Sequence, residues 1–256
     1  MIDESNPAGR LHKILSAIKR QPDKRKVREA WSSATECGVE DIEVYKSVIE
    51  LFTLSQEIQW LIKMKEGLNH DLYLSSFERL EKAFFPLNLD TTASVVKQHL
   101  TDEAMTRLQF CAEELQGFYS EDSLSEKEFQ DIKQKVEDLF NVLAMSSLPD
   151  ILRFSLLEEV EKIRNSIALY KIKGAKGLRE ALQSTIGAVV ANQADIKAAS
   201  VSNPDVIARL GELIDKIDLF SSRALKLKRA LAKPIRFVLE KISEYQDSYD
   251  EEESIT

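Results

Sequence analysis

Apolar residues recur along this chain at spacings of three and four, the period of an α-helix with one buried face. Asn6-Pro7 opens the first run, a capping side chain followed by proline at the first helical position. Leu11, Ile14, Leu15 and Ile18 give that helix its apolar face, and Pro22 ends it. A second helix is predicted from about Asp23 to Cys37, with Val27, Trp31 and Ala34 inward and Gly38 closing it. A third, from about Glu40 to Glu66, carries Tyr45, Val48, Ile49, Phe52, Leu61 and Ile62 and stops at Gly67. Residues 68–86 read as a loop and a short helix ended by Pro86, and residues 87–119 as a polar break followed by a helix with Gly117 near its end.

The second half of the chain is more regular. Ser125 followed three residues later by Glu128 is the sequence of a capping box. Behind it Phe129, Ile132, Val136, Leu139 and Leu143 form the seam of a helix packed lengthwise on another. The same spacing returns after Pro149 with Leu156, Val160, Ile163, Ile167 and Tyr170; Gly174 and Gly177 then break the chain. Leu178, Leu182, Ile186 and Val189 start again. Pro204 opens a last long helix through Leu210, Leu213, Ile217, Phe220, Ala224, Leu227 and Leu231, spanning on the order of 40 Å. Pro234 kinks or restarts it, and Ile235, Val238, Ile242 and Tyr245 finish it. No segment alternates with period two for long enough to compete as a strand.

The expected fold is therefore all-α, with about eight to ten helices and long antiparallel helices in the C-terminal half. An irregular helical region over 1–120 precedes a long-helix bundle over 121–246. Residues 247–256 are an acidic tail, expected to be disordered. Composition agrees, since eight Gly and six Pro are few for a chain of 256 residues and leave little turn-forming capacity. Two cysteines, Cys37 and Cys111, cannot make a disulfide framework. No signal-like apolar segment opens the chain, and no uncharged run reaches the roughly 18 residues of a membrane span. A cytoplasmic protein with no membrane span is expected.

Candidate chemistry is sparse. Arg164-Asn165 matches the start of the motif of HEPN ribonucleases, where a histidine follows one turn later; here Leu169 holds that place, and no residue nearby can move the proton. The pair reads as the solvent side of a helix whose seam is Ile163, Ile167 and Tyr170. His12, His70 and His99 lie far apart and lack the spacing of a metal site, so no metal and no cofactor is expected. "GAKG" at 174–177 lacks the ending of a phosphate-binding loop and reads as a helix C-cap, with Lys171 and Lys173 near the carbonyl end. No catalytic residue is assigned.

Positive charge is unevenly placed. The net charge of −8 argues against general affinity for nucleic acid, which stays a minor option. Arg223, Lys226, Arg229, Lys233 and Arg236 would nevertheless line one stripe of the last helix, a candidate docking surface for an acidic partner or anion. A second cluster, Lys19, Arg20, Lys24, Arg25, Lys26 and Arg28, surrounds Pro22.

The phrases "NPAGRLHKIL", "NHDLY", "KQHL", "QFCAEEL" and "YKIKGAKGLREALQSTIGAVV" resemble a bacterial group of uncharacterised helical proteins over most of residues 6–195. The resemblance implies a bacterial cytosolic origin and carries no site residues. The functional expectation is a non-enzymatic helical module that binds a protein partner or another copy of itself, in the setting of a bacterial toxin-neutralising or phage-defence component. Two alternatives are a degenerate HEPN-like ribonuclease and a membrane-acting effector that exposes the weakly charged segment from Leu182 to Ala194.

Overall fold

Asn6 is buried at the start of the first helix and serves two elements at once. Its Oδ1 accepts from the backbone N–H of Gly9, at 3.0 Å, capping α1 (Pro7–Lys19). Its Nδ2 donates to the carbonyl of Ala112, at 2.8 Å, in α7 (Asp102–Leu115). The computed structural model describes residues 5–116, 121 and 125–225. Twelve helical segments occur among them, and the only β pairing is a single bridge between Lys26 and Thr92.

The fold class is all-α, with more helices than the eight to ten expected. The excess comes from pieces too short for periodicity to reveal: α4 (His70–Leu74), α5 (Phe77–Glu81) and α6 (Ser94–Lys97) are each about one turn. α11 (Gln193–Ser202) adds another, separated from the helix before it at Asn192.

The chain divides into two units. The first comprises residues 1–121 together with 168–174. In it α1 packs against α2 (Val27–Thr35), α3 (Asp41–Lys63) and α7, and Leu11, Leu15, Ile18, Trp31, Leu51, Ile58 and Phe84 form a dry centre. Val27, Trp31 and Ala34 point inward as the spacing requires. Ile172 joins this core, so the segment 168–174 belongs here by burial despite its position in the sequence.

The second unit holds α8 (Glu126–Ala144), α9 (Asp150–Ala168, all but its last residue), the part of α10 (Tyr170–Ala191) after Gly174, α11 and α12 (Pro204–Ala224). Paired side chains fix its directions. Lys135–Glu212, Asp131–Lys216 and Glu128–Arg223 step down α8 as they step up α12, so these helices are antiparallel. Arg164 with Glu137, and Arg153 with the carbonyl of Ser146, do the same for α8 and α9. Lys162–Ser184 and Ser155–Asn192 do so for α9 and α10. The seam residues Ile132, Val136, Leu139, Leu143, Leu156, Val160, Ile163, Leu210, Leu213 and Ile217 are all buried.

Gly174 marks a break, with φ 64 and ψ −157 inside what is otherwise helix. Gly177, expected to break the chain as well, is helical.

Candidate functional site

The sequence points first to the basic stripe of the last helix. Its first member, Arg223, is exposed in the last turn of α12 and forms an ion pair with Glu128 of α8. Lys226, Arg229, Lys233 and Arg236 lie outside the described residues, as do Pro234 and the acidic tail. Glu128 is also the third residue of α8, and its carboxylate accepts from the Ser125 hydroxyl at 2.8 Å and the Ser125 N–H at 3.2 Å, completing the capping box. The Arg223 guanidinium, then the Ser125 hydroxyl and backbone, hold its carboxyl down to about 2.

A carboxylate shifted downward stabilises the fold fully above its ordinary value of 4.5 and stops doing so as pH falls through the folded value of about 2. Glu128→Gln should therefore lower stability at neutral pH by roughly 1 kcal/mol, the shift being discounted for the solvent around Arg223. Stability of the variant should also fall less steeply between those two pH values, as followed by denaturant melts.

The second basic cluster is largely neutralised. Lys19 pairs with Asp102, Arg25 with Glu29, and Arg28 with both Asp41 and Asp90, while Lys97 closes on Asp23. Arg20, Lys24 and Lys26 remain exposed.

Arg164 is held within its own unit. Its Nε and one terminal nitrogen each donate to Glu137 at 3.0 Å, the other nitrogen reaches Glu161, and the guanidinium lies 4.6 Å from the centre of the Phe140 ring. It is half-buried rather than on the solvent side, while Asn165 is exposed; of the expected seam, Ile163 and Ile167 are buried and Tyr170 half-buried.

At "GAKG", Lys171 pairs with Glu36, and Lys173 lies 3.8 Å from Glu50. His12 is half-buried, and burial lowers its pKa. The Nε2 of His70 lies 3.3 Å from the carbonyl of Lys65. No group of three metal-capable side chains occurs among the described residues. Both cysteines are free, and burial pushes the Cys111 thiol up to about 12, which keeps it neutral and unreactive.

Two buried ion pairs went unforeseen. In the first unit Arg10 meets Glu121 at 3.4 Å and donates to the carbonyls of Ile172, at 3.1 Å, and Ser5, at 3.3 Å. In the second Arg179 donates to Asp218 at 2.8 Å and to Ser222 at 3.0 Å. Both partners in each pair are buried, and each pair is a scaffold contact.

The feature with no structural duty lies on α3. Its inner face buries Val44, Val48, Leu51, Leu54, Ile58, Leu61 and Ile62. Its opposite face is apolar too: Ile42 is 62% exposed, Tyr45 38%, Ile49 51%, Trp60 59% and the capping Met64 52%. Phe52, half-buried on this side, packs edge-on against Phe85, itself exposed, with centroids 5.4 Å apart. The stripe runs about 33 Å along the helix. Burying such side chains is worth about 25 cal/mol per Å² of apolar surface, so leaving them in water forgoes several kcal/mol.

In the second unit Met145, Ile151, Phe154 and Val201 are also exposed, near loops tied by Ser147 and Asn203 at 3.1 Å. They do not form a continuous helix face. No helix among the described residues is long and apolar enough to cross a membrane. The chain matches no family model, no curated protein and no solved structure.

Proposed function

We propose that this chain is a non-enzymatic helical interaction module, and that the outer face of α3 is its binding surface. The observation that carries the reading is the second apolar stripe of α3, which a helix needing only one buried face would not keep. Surfaces of this composition, aromatic and aliphatic anchors in a row, are what protein partners bury. Arg164 supports binding over ribonucleolysis. Its donors are taken up by Glu137 and Glu161, and a phosphate would have to displace two carboxylates to reach it. The setting expected from the sequence, a toxin-neutralising or defence component, suits a module of this kind.

A photo-crosslinking amino acid placed at Ile49 tests this in cells of the native host. The expected product is a discrete protein adduct, lost when Trp60 is changed to Asp in the same molecule. Irradiation that yields no protein adduct from position 49, with the folded protein present at normal abundance, would overturn the reading.

A further inference from the structure

The charges flanking the α3 stripe identify what it binds. Lys46 and Glu57 lie along one shoulder of the stripe, and Asp41 and Lys63 along the other. The two pairs are centred within half a residue of each other, at or beside Phe52, the middle of the helix. When two helices pack antiparallel, residues on the same shoulder meet, so a pattern symmetric about the midpoint is complementary to itself. Two copies of α3 laid antiparallel about Phe52 would set Lys46 against the partner's Glu57 and Asp41 against the partner's Lys63. Each contact would occur twice.

The apolar positions agree with this register. Ile42 would enter the gap between the partner's Trp60 and Met64, and Tyr45 the gap between the partner's Gln56 and Trp60. Phe52 would meet its own copy at the axis, and Ile49, one turn away, would lie between the partner's Thr53 and Gln56. Lys46 and Lys63 are exposed and make no ion pair among the described residues, while Asp41, exposed as well, is paired with Arg28 at 2.7 Å. The acidic first turn, with Asp41 and Glu43, would face the last turn with Lys63, so the helix dipoles oppose favourably as well.

From this we infer that a second copy of the chain covers the α3 face, in a two-fold antiparallel dimer with Lys46–Glu57 and Asp41–Lys63 pairs across it. This rests on the binding role proposed for the same face.

Sedimentation equilibrium of the full chain, from about 1 to about 100 μM, gives the test. The wild type should be a concentration-dependent dimer. Lys46→Glu sets like charges together twice and should weaken it about tenfold, and Ile49→Asp, one turn from the axis, by about a hundredfold. Lys46→Glu combined with Glu57→Lys should restore dimerisation, a result that general destabilisation cannot produce. All of these positions are exposed or half-buried, so helical circular dichroism should stay unchanged.

Three results would overturn the inference: a monomer at every concentration, a dimer indifferent to Lys46→Glu and Ile49→Asp, or a double variant no stronger than Lys46→Glu alone. A monomer that still crosslinks from position 49 to a different protein in the host would remove the self-pairing and leave the module reading standing.

Discussion

Replacing Asp218 by alanine should destabilise the second unit by about 3–5 kcal/mol, a large part of the stability of a domain of this size. The reason is the charge left behind. Asp218 is fully buried and Arg179 nearly so, and the guanidinium would keep only the hydroxyls of Ser221 and Ser222. Its Nε is buried without a hydrogen-bond partner even in the intact pair, so the site has no reserve of acceptors. Ser222→Ala, by contrast, removes one neutral hydroxyl that accepts from Arg179 and donates to Asp218, and should cost about 1 kcal/mol. Replacing both members of the ion pair, Arg179→Met with Asp218→Leu, should recover most of the loss, because two compensated charges give way to apolar packing. The measurement is denaturant unfolding followed by helical ellipticity, since Trp31 and Trp60 both lie in the first unit and report on that unit alone.

Arg10→Met should cost the first unit a similar amount, about 3–5 kcal/mol, read from tryptophan emission. Arg10 neutralises Glu121 and holds the carbonyl of Ile172, the end of the short stretch that returns to this unit. Gly174 next to it leaves room for that guanidinium. A Cβ at 174 would come within 2.8 Å of the Arg10 guanidinium carbon, and its backbone sits at φ 64, where side chains are disfavoured. Gly174→Ala should therefore destabilise the same unit through the same contact. Since the two changes damage one cluster, their double variant should lose less than the sum. Changing Glu121 to Gln in the Arg10→Met background should restore part of the stability, because the stranded charge is then gone.

Much of this architecture is legible from spacing alone, and α12 shows why. Its seam of Leu210, Leu213, Ile217, Phe220 and Ala224 is apolar on one side and charged on the other, so only one orientation buries it, and all five are buried. The capping box at Ser125 and Glu128 is equally readable, because both groups are three residues apart and their bonds are local.

α3 defeats the same method. Tyr45, Val48, Ile49, Phe52, Leu61 and Ile62 all satisfy helical spacing, but Val48, Leu61 and Ile62 face the core while Tyr45 and Ile49 face water. A helix with apolar residues on two opposite faces has no unique inward face in its sequence, and only packing against α1 and α7 decides the matter. The candidate site was hidden by that ambiguity, since its residues look like core.

Long-range ion pairs are hidden for a different reason. Nothing near Arg10 or Arg179 in sequence announces Glu121 or Asp218, which lie far along the chain. The short helices α4 to α6 offer too few residues for any period to show.

Trp60 gives the most direct reading of whether the α3 face is covered by another copy. With Trp31 changed to phenylalanine, it is the sole tryptophan of the chain. The account predicts blue-shifted emission and slow acrylamide quenching in concentrated solution. Both should revert to a red, readily quenched signal on dilution, and Lys46→Glu should move that transition to higher concentration. Red emission and free quenching at every concentration, from a protein whose helical ellipticity is intact, would contradict it.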